Sequence, residues 1–168
     1  MSENPQKTGF GMMLVAALGL LGLLTWFFSG QLEDRVNPNQ RVQSQMVGSS
    51  VEVVLDADRQ GHFVANGRIN GSDVTFLVDT GATLVSVPEE LADRLGLERQ
   101  APIRLETAAG NVQGWLTELD EVRLGDIVQR QVRAAINPGR HDTVLLGMSF
   151  LRELEMTQRD GELRLLAE

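Results

Sequence analysis

The chain has 168 residues, enough for one domain of ordinary size plus an appendage. It contains no cysteine, which excludes disulfides, Cys-based zinc sites and a cysteine nucleophile. The formal net charge of -8 falls wholly on residues 50–168, because Glu3, Glu33 and Asp34 offset Lys7, Arg35 and Arg41 before them; such a domain repels nucleic acid and anionic lipid headgroups.

Residues 1–8 form a short tail. From Gly9 to Phe28 no residue is charged. At about 1.5 Å per residue, a helix of that length crosses the ~30 Å hydrocarbon core of a bilayer. Trp26, Phe27 and Phe28 stand at its far end, where aromatic side chains favour the headgroup boundary. A cleaved signal peptide wants small residues at its cleavage site, and Trp-Phe-Phe-Ser-Gly is a poor one. A core helix rarely tolerates apolar residues on every face. The expectation is a single transmembrane helix over residues 9–28. A short tail before the span and a large domain after it favour an exported domain. Residues 29–49 are polar, rich in Gln and Asn, and carry no sustained periodicity, as a linker would.

From residue 50 onward the pattern is β. Val51, Val53 and Leu55 alternate with Glu52, a half-buried strand. His62–Val64 and Asp73–Val78 are short strand-like runs, with Asn66-Gly67 and Asn70-Gly71 as turn signals. One helix is expected over Pro88–Leu95, with Pro and two acids in its first turn and Gly96 as its stop. A shorter one follows Gly147. Further strands are expected at Ile103–Thr107, Trp115–Leu124, Ile127–Ile136, Leu154–Gln158 and Glu162–Leu166. Many short strands with frequent Gly turns predict an all-β fold, a small barrel or sandwich with one or two short helices, over residues 50–168.

The densest chemical signal is Phe76-Leu77-Val78-Asp79-Thr80-Gly81-Ala82-Thr83. An apolar strand delivers a carboxylate into a turn of small residues. An Asp in a strand-ending turn is common by itself; the apolar run before it marks this one as emerging from a core.

This octapeptide resembles the active-site motif of retropepsin-like aspartic peptidases. Thr143-Val144-Leu145-Leu146-Gly147-Met148 is similar to the apolar-apolar-Gly segment that the family places before a helix. Thr107-Ala108-Ala109-Gly110-Asn111 lies between strands where the family keeps its flap. The three elements occur in the family's order, and the bacterial subgroup with a single N-terminal span is the most similar. The resemblance implies an acid-protease barrel with one lobe per chain. It also implies a single-pass protein of the bacterial inner membrane with its peptidase domain on the exported, periplasmic side.

By the same resemblance Asp79 is the catalytic residue, one of two carboxylates that share a proton and activate a water. The mechanism needs two Asp-Thr-Gly loops, and this chain has one. The second carboxylate therefore comes from a second copy, a homodimer with Asp79 and its mate across a two-fold axis. Thr80 would hydrogen-bond across that axis and Gly81 would bring its N–H to the carboxylate. Ala82 takes a place where pepsin-like relatives often carry a hydroxyl, which implies a less acidic optimum. Ala108, Ala109, Gly110 and Asn111 would form the flap, and Leu145, Leu146 and Gly147 the segment beside the catalytic loop. The implied partner is a protein or peptide substrate in extended form, with no cofactor. His62 and His141 lack metal-ligand spacing, so no metal is expected, and no Gly-x-Ser-x-Gly elbow supports a serine hydrolase. The competing reading is a non-catalytic, membrane-tethered β domain that dimerises and binds peptides, with Asp79 merely shaping a turn.

Overall fold

The computed structural model describes residues 18–23, 37–107 and 110–168. The chain divides into two units, Met1–Val36 and Asn37–Glu168. In the first unit residues 18–23 are helical. The rest of the expected 9–28 span, the 1–8 tail and residues 29–36 lie outside the described residues. Among the described residues, no helix is long and apolar enough to cross a membrane.

The second unit is mostly β, with two short helices. Its strands are β1 (Gln43–Val47), β2 (Ser50–Asp56), β3 (Val64–Ile69), β4 (Ser72–Val78), β5 (Val85–Pro88), β6 (Pro102–Thr107), β7 (Gly110–Leu124), β8 (Ile127–Asn137), β9 (Thr143–Leu146), β10 (Glu155–Arg159) and β11 (Glu162–Ala167). The helices are α1 (Glu89–Arg94) and α2 (Met148–Leu151). A seven-stranded sheet runs in the order β3-β4-β9-β5-β8-β7-β6, and β3 pairs also with β7 through Ile69 and Val122. That last pairing curls the sheet into a barrel with β6 outside it. Inward positions alternate along each strand and fill it: Ile69, Phe76, Leu119, Leu124, Ile127, Ile136 and Leu146 are all at or near zero exposure.

The second sheet is four-stranded, β1-β2-β11-β10. Its inner face is the row Val53 with Leu165 and Leu55 with Leu163, all buried. The Asn70-Gly71 hairpin joins β3 to β4 as expected, with both residues at positive φ (49° and 81°) as a two-residue turn of this kind requires. Asn66-Gly67 is no turn. Gly67 sits inside β3, where a Cβ would lie 2.5 Å from the Arg123 carbonyl oxygen and 2.5 Å from the Phe76 ring; the glycine is there to admit close packing.

The folded unit begins earlier than composition suggests. Residues 37–47, read from sequence as linker, pair with the domain. β1 lies antiparallel on β2, and Ser44 accepts a hydrogen bond at its Oγ from the Asp126 N–H (3.0 Å). Asn39 is buried; its Nδ2 donates to the carbonyls of Asp56 (2.9 Å) and Val64 (2.7 Å), and its Oδ1 accepts from the Asp56 N–H (2.7 Å). One amide thus ties the end of β2 to the start of β3. Replacing it removes the side-chain partner of three part-buried backbone groups. Asn39→Ala is expected to destabilise the fold by about 3 kcal/mol, read as a lowered urea midpoint with an unchanged slope; an unchanged midpoint would show that the amide ties nothing.

Candidate active site

The site grows out of one topological feature. β4 and β9 run parallel, with Thr75 opposite Thr143 and Val78 opposite Leu146. β5 then returns on the other side of β9, antiparallel, with Ser86 opposite Leu145. β9 therefore lies between β4 and β5, and residues 79–84 pass over its end.

Backbone hydrogen bonds fix that crossing. The Asp79 N–H donates to the Leu146 carbonyl (3.2 Å), carrying the β4–β9 ladder one residue beyond Val78. The Ala82 N–H donates to the Asp79 carbonyl (3.2 Å), closing a tight turn, and the Ala82 carbonyl accepts from the Met148 N–H (2.8 Å). Ser149 completes the clamp by accepting the Val85 N–H at its Oγ (2.8 Å). The pattern of apolar strand and short helix gives no hint of that role for Ser149; only the loop's return over α2 reveals it. Gly147 lies under the crossing, where a Cβ would meet the carbonyl oxygens of Leu84 (2.2 Å) and Ala82 (2.7 Å). The residues of the Asp79 loop and Leu145-Leu146-Gly147, far apart in sequence, are thus one assembly.

Asp79 is half-buried, and Thr80 and Gly81 are exposed. Its Oδ1 accepts the Gly81 N–H at 2.9 Å, so one carboxylate oxygen is oriented by its own turn. On the β4 side, the Val78 N–H donates to the Phe63 carbonyl (2.9 Å). The loop before Phe63 is wound around Asp58, which accepts the N–H groups of Gln60 (2.8 Å) and His62 (2.9 Å). Burial pushes the Asp58 carboxyl upward, but those backbone donors outweigh it and hold the group below its ordinary value.

Asp142 offers no second carboxylate within the chain. It precedes Thr143, at the opposite end of β9 from Leu146, which separates it from Asp79 by about 16 Å along the strands. There it holds Arg94 of α1 at 2.5 Å. The residues expected to form the flap are described in part. β6 and β7 form a hairpin with Thr107 opposite Gly110 and Glu106 opposite Asn111, and Gly110 takes a φ of 112°. Ala108 and Ala109 lie outside the described residues.

Among the described residues no group of three His, Cys, Asp or Glu side chains could hold a metal. His62 lies 3.7 Å from Asp58, while His141 Nδ1 lies 3.0 Å from the Thr143 carbonyl oxygen. A groove of about 680 Å³ is found elsewhere, over β3 and β4, lined in part by Arg68, Arg94, Arg123, Asp73 and Asp142. Its arginines are paired with Asp73, Asp142 and Glu121. It is an ion-paired surface, and none of residues 79–84 lines it.

Comparison with known proteins agrees with this geometry. The family model described as "gag-polyprotein putative aspartyl protease" matches residues 65–153, from β3 through α2. An uncharacterised protein from the cobV 5′ region of Sinorhizobium sp is 40% identical over 119 residues, covering 68% of this chain and 51% of that protein. The uncharacterised protein RP867 of Rickettsia prowazekii (strain Madrid E) is 28% identical over 118 residues, 68% of this chain and 51% of that protein. The chain thus spans about half the length of the curated relatives it matches. Among solved structures, a retropepsin-like aspartic protease from Rickettsia conorii superposes with a TM-score of 0.60 at 26% identity, covering 76% of this chain and 96% of that one.

Proposed function

Because this chain belongs to the retropepsin-like aspartic protease family, we propose that it is an aspartic endopeptidase whose active site forms when two copies bring their Asp79 carboxylates together. The observation that carries this reading is the Asp79 loop itself: a carboxylate held by a clamped turn, with Thr80 and Gly81 exposed beside it and Asp142 tied to Arg94 at the far end of β9. A loop so presented supports the reading of Asp79 as one half of a dyad.

In the assembled site one carboxylate is protonated and the other ionised, since two adjacent like charges cannot both persist. The ionised one takes a proton from a water as it attacks the scissile carbonyl, and the protonated one donates to the carbonyl oxygen. The Gly81 N–H keeps an Asp79 oxygen aimed, and Thr80 is exposed for a bond across the two-fold axis. Substrate lies extended over the dyad, bound by backbone hydrogen bonds, beneath the hairpins of β6 and β7, with the flap role assigned to Ala108, Ala109, Gly110 and Asn111. Residues 9–28 anchor the peptidase in the inner membrane with the folded unit on the exported side.

One comparison tests anchor and shared site together. A chain beginning at Asn37, which keeps β1 and Asn39, should leave the membrane fraction, whereas the full chain should stay in it. The shorter chain's activity per mole, measured on a denatured protein by mass spectrometry, should fall on dilution as the dimer dissociates. The anchored form should resist, because confinement in a plane raises effective concentration. Specific activity that stays flat where sedimentation finds only monomer would rule out the shared site. Equal membrane retention of both chains would rule out the anchor.

A further inference from the structure

The end of the β1–β2 hairpin differs from the rest of the unit's surface. Val47 stands opposite Ser50, and Gly48-Ser49 make the turn, with Gly48 at a φ of 64°. Among the described residues of the unit Asn37–Glu168, the exposed large hydrophobic side chains are Met46 (67% exposed) and Val47 (48%). Neighbours along a strand point to opposite faces of a sheet, so this end is apolar on both sides. It also carries no charge: from Asn37 to Val51 the one charged residue is Arg41, and the formal charge of -8 lies on the residues that follow. The strand that presents it is held in place, since Gln45 Nε2 donates to Glu52 and Ser44 Oγ accepts from the Asp126 N–H.

We propose that this hairpin end rests on the lipid surface, with the Met46 and Val47 side chains entering the headgroup boundary. That lipid is close rests on the anchor reading of residues 9–28; that this hairpin meets it rests on the folded unit. Covalent reach brings the two within range. Residues 29–36 join the anchor to Asn37, and at no more than about 3.6 Å per residue they keep Asn37 within roughly 30 Å of the bilayer. β1 carries the chain only about 14 Å from Gln43 to Val47. Shape and charge favour lipid over a protein partner. A protein surface laid on the sheet covers one face, whereas immersion of a hairpin end covers Met46 and Val47 together. The acid-free segment meets headgroups without the repulsion felt by the rest of the unit. The contact is shallow, because β1 is an edge strand and its outward backbone groups need water or headgroups as partners. Two side chains bind lipid weakly on their own, but a tethered unit needs little, since the tether holds the hairpin at high effective concentration beside the membrane. The contact sets which way the unit faces. β1 and β10 are opposite edges of one sheet, and β10 follows α2, whose Met148 N–H holds the Asp79 loop through the Ala82 carbonyl. With β1 on the lipid, the edge beside the Asp79 loop stays open to water and to substrate.

The absence of cysteine makes the test direct. Ser49 is exposed in the turn. Ser49→Cys is labelled with a polarity-sensitive fluorophore in the full-length chain, reconstituted into phosphatidylcholine vesicles that carry a spin-labelled phosphatidylcholine as quencher. Gln158→Cys in β10, labelled alike, is the control. The label at 49 should emit further to the blue than the label at 158 and lose most of its fluorescence to the quencher lipid, while the label at 158 keeps its own. Adding Met46→Ser with Val47→Ser should abolish both effects at an unchanged urea midpoint, since both side chains are exposed. A chain that stays with the vesicles through an alkaline carbonate wash, its label at 49 as wet and unquenched as that at 158, overturns the proposal and leaves the anchor standing. Release of the chain by that wash locates the failure in the anchor and overturns the proposal with it. Protection of the label that follows protein concentration rather than quencher lipid gives the strand to a second copy and overturns it too.

Discussion

Asp79→Asn is expected to lower peptidase turnover by roughly 10³-fold or more, the scale of losing an essential general base. The amide is nearly isosteric with the carboxylate, and its Oδ1 still accepts the Gly81 N–H that orients Asp79 at 2.9 Å. The loop and its clamp through Leu146 and Met148 use backbone groups, so the melting temperature and the association state should stay close to those of the parent. What is lost is the charge that takes the proton from water. Mixing parent and variant chains sharpens the test. If each site needs one Asp79 from each copy, an excess of the variant should suppress parental activity by capturing it in mixed dimers. Equal cleavage by variant and parent would instead support a β domain that binds peptide without chemistry, with Asp79 only shaping its turn.

The sequence made the site's local pieces readable and left their assembly hidden. Phe76-Leu77-Val78 announces a buried strand because its residues leave no polar alternative, and Asp79-Thr80-Gly81 announces a tight turn because small and hydrogen-bonding residues close one. Asn70-Gly71 is a hairpin because both residues tolerate positive φ. The passage of β9 between β4 and β5 has no local signature, since it is a parallel pairing between segments about 65 residues apart that hydrophobic periodicity does not encode. Asn66-Gly67 misleads for a related reason: its glycine answers to Phe76 and Arg123 across the barrel. β1 was invisible because an edge strand with only Ser44 bonded inward needs no apolar alternation, so Gln43-Ser44-Gln45 reads as linker. Asn39, buried among backbone groups, looks in sequence like any asparagine of a polar tract.

Gly147→Ala should damage both stability and catalysis, because a single methyl group has nowhere to go. Gly147 has a φ of -90°, so the backbone itself accommodates alanine. The obstruction is spatial: its Cβ would lie 2.2 Å from the Leu84 carbonyl oxygen and 2.7 Å from that of Ala82. Both obstacles are main chain, so no rotamer change relieves them. Either the 79–84 loop lifts away from β9 or α2 shifts. The Ala82 carbonyl accepts the Met148 N–H at 2.8 Å and Val85 donates to Ser149, so either movement strains the bonds that clamp the loop. Overpacking of this kind destabilises by about 2–3 kcal/mol. A loop displaced by about 1 Å moves Asp79 far enough to lower turnover roughly 100-fold. Gly81→Ala supplies the contrast. Its Cβ would stand 3.1 Å from Asp79 Oδ1, in an exposed turn, so it should reduce turnover by disturbing the carboxylate while leaving the melting temperature nearly unchanged. Urea midpoints and turnover measured on both variants separate the two effects. A Gly147→Ala protein with parental midpoint and parental turnover would mean that the crossing over β9 is looser than these distances require, and that Asp79 is not positioned through Gly147.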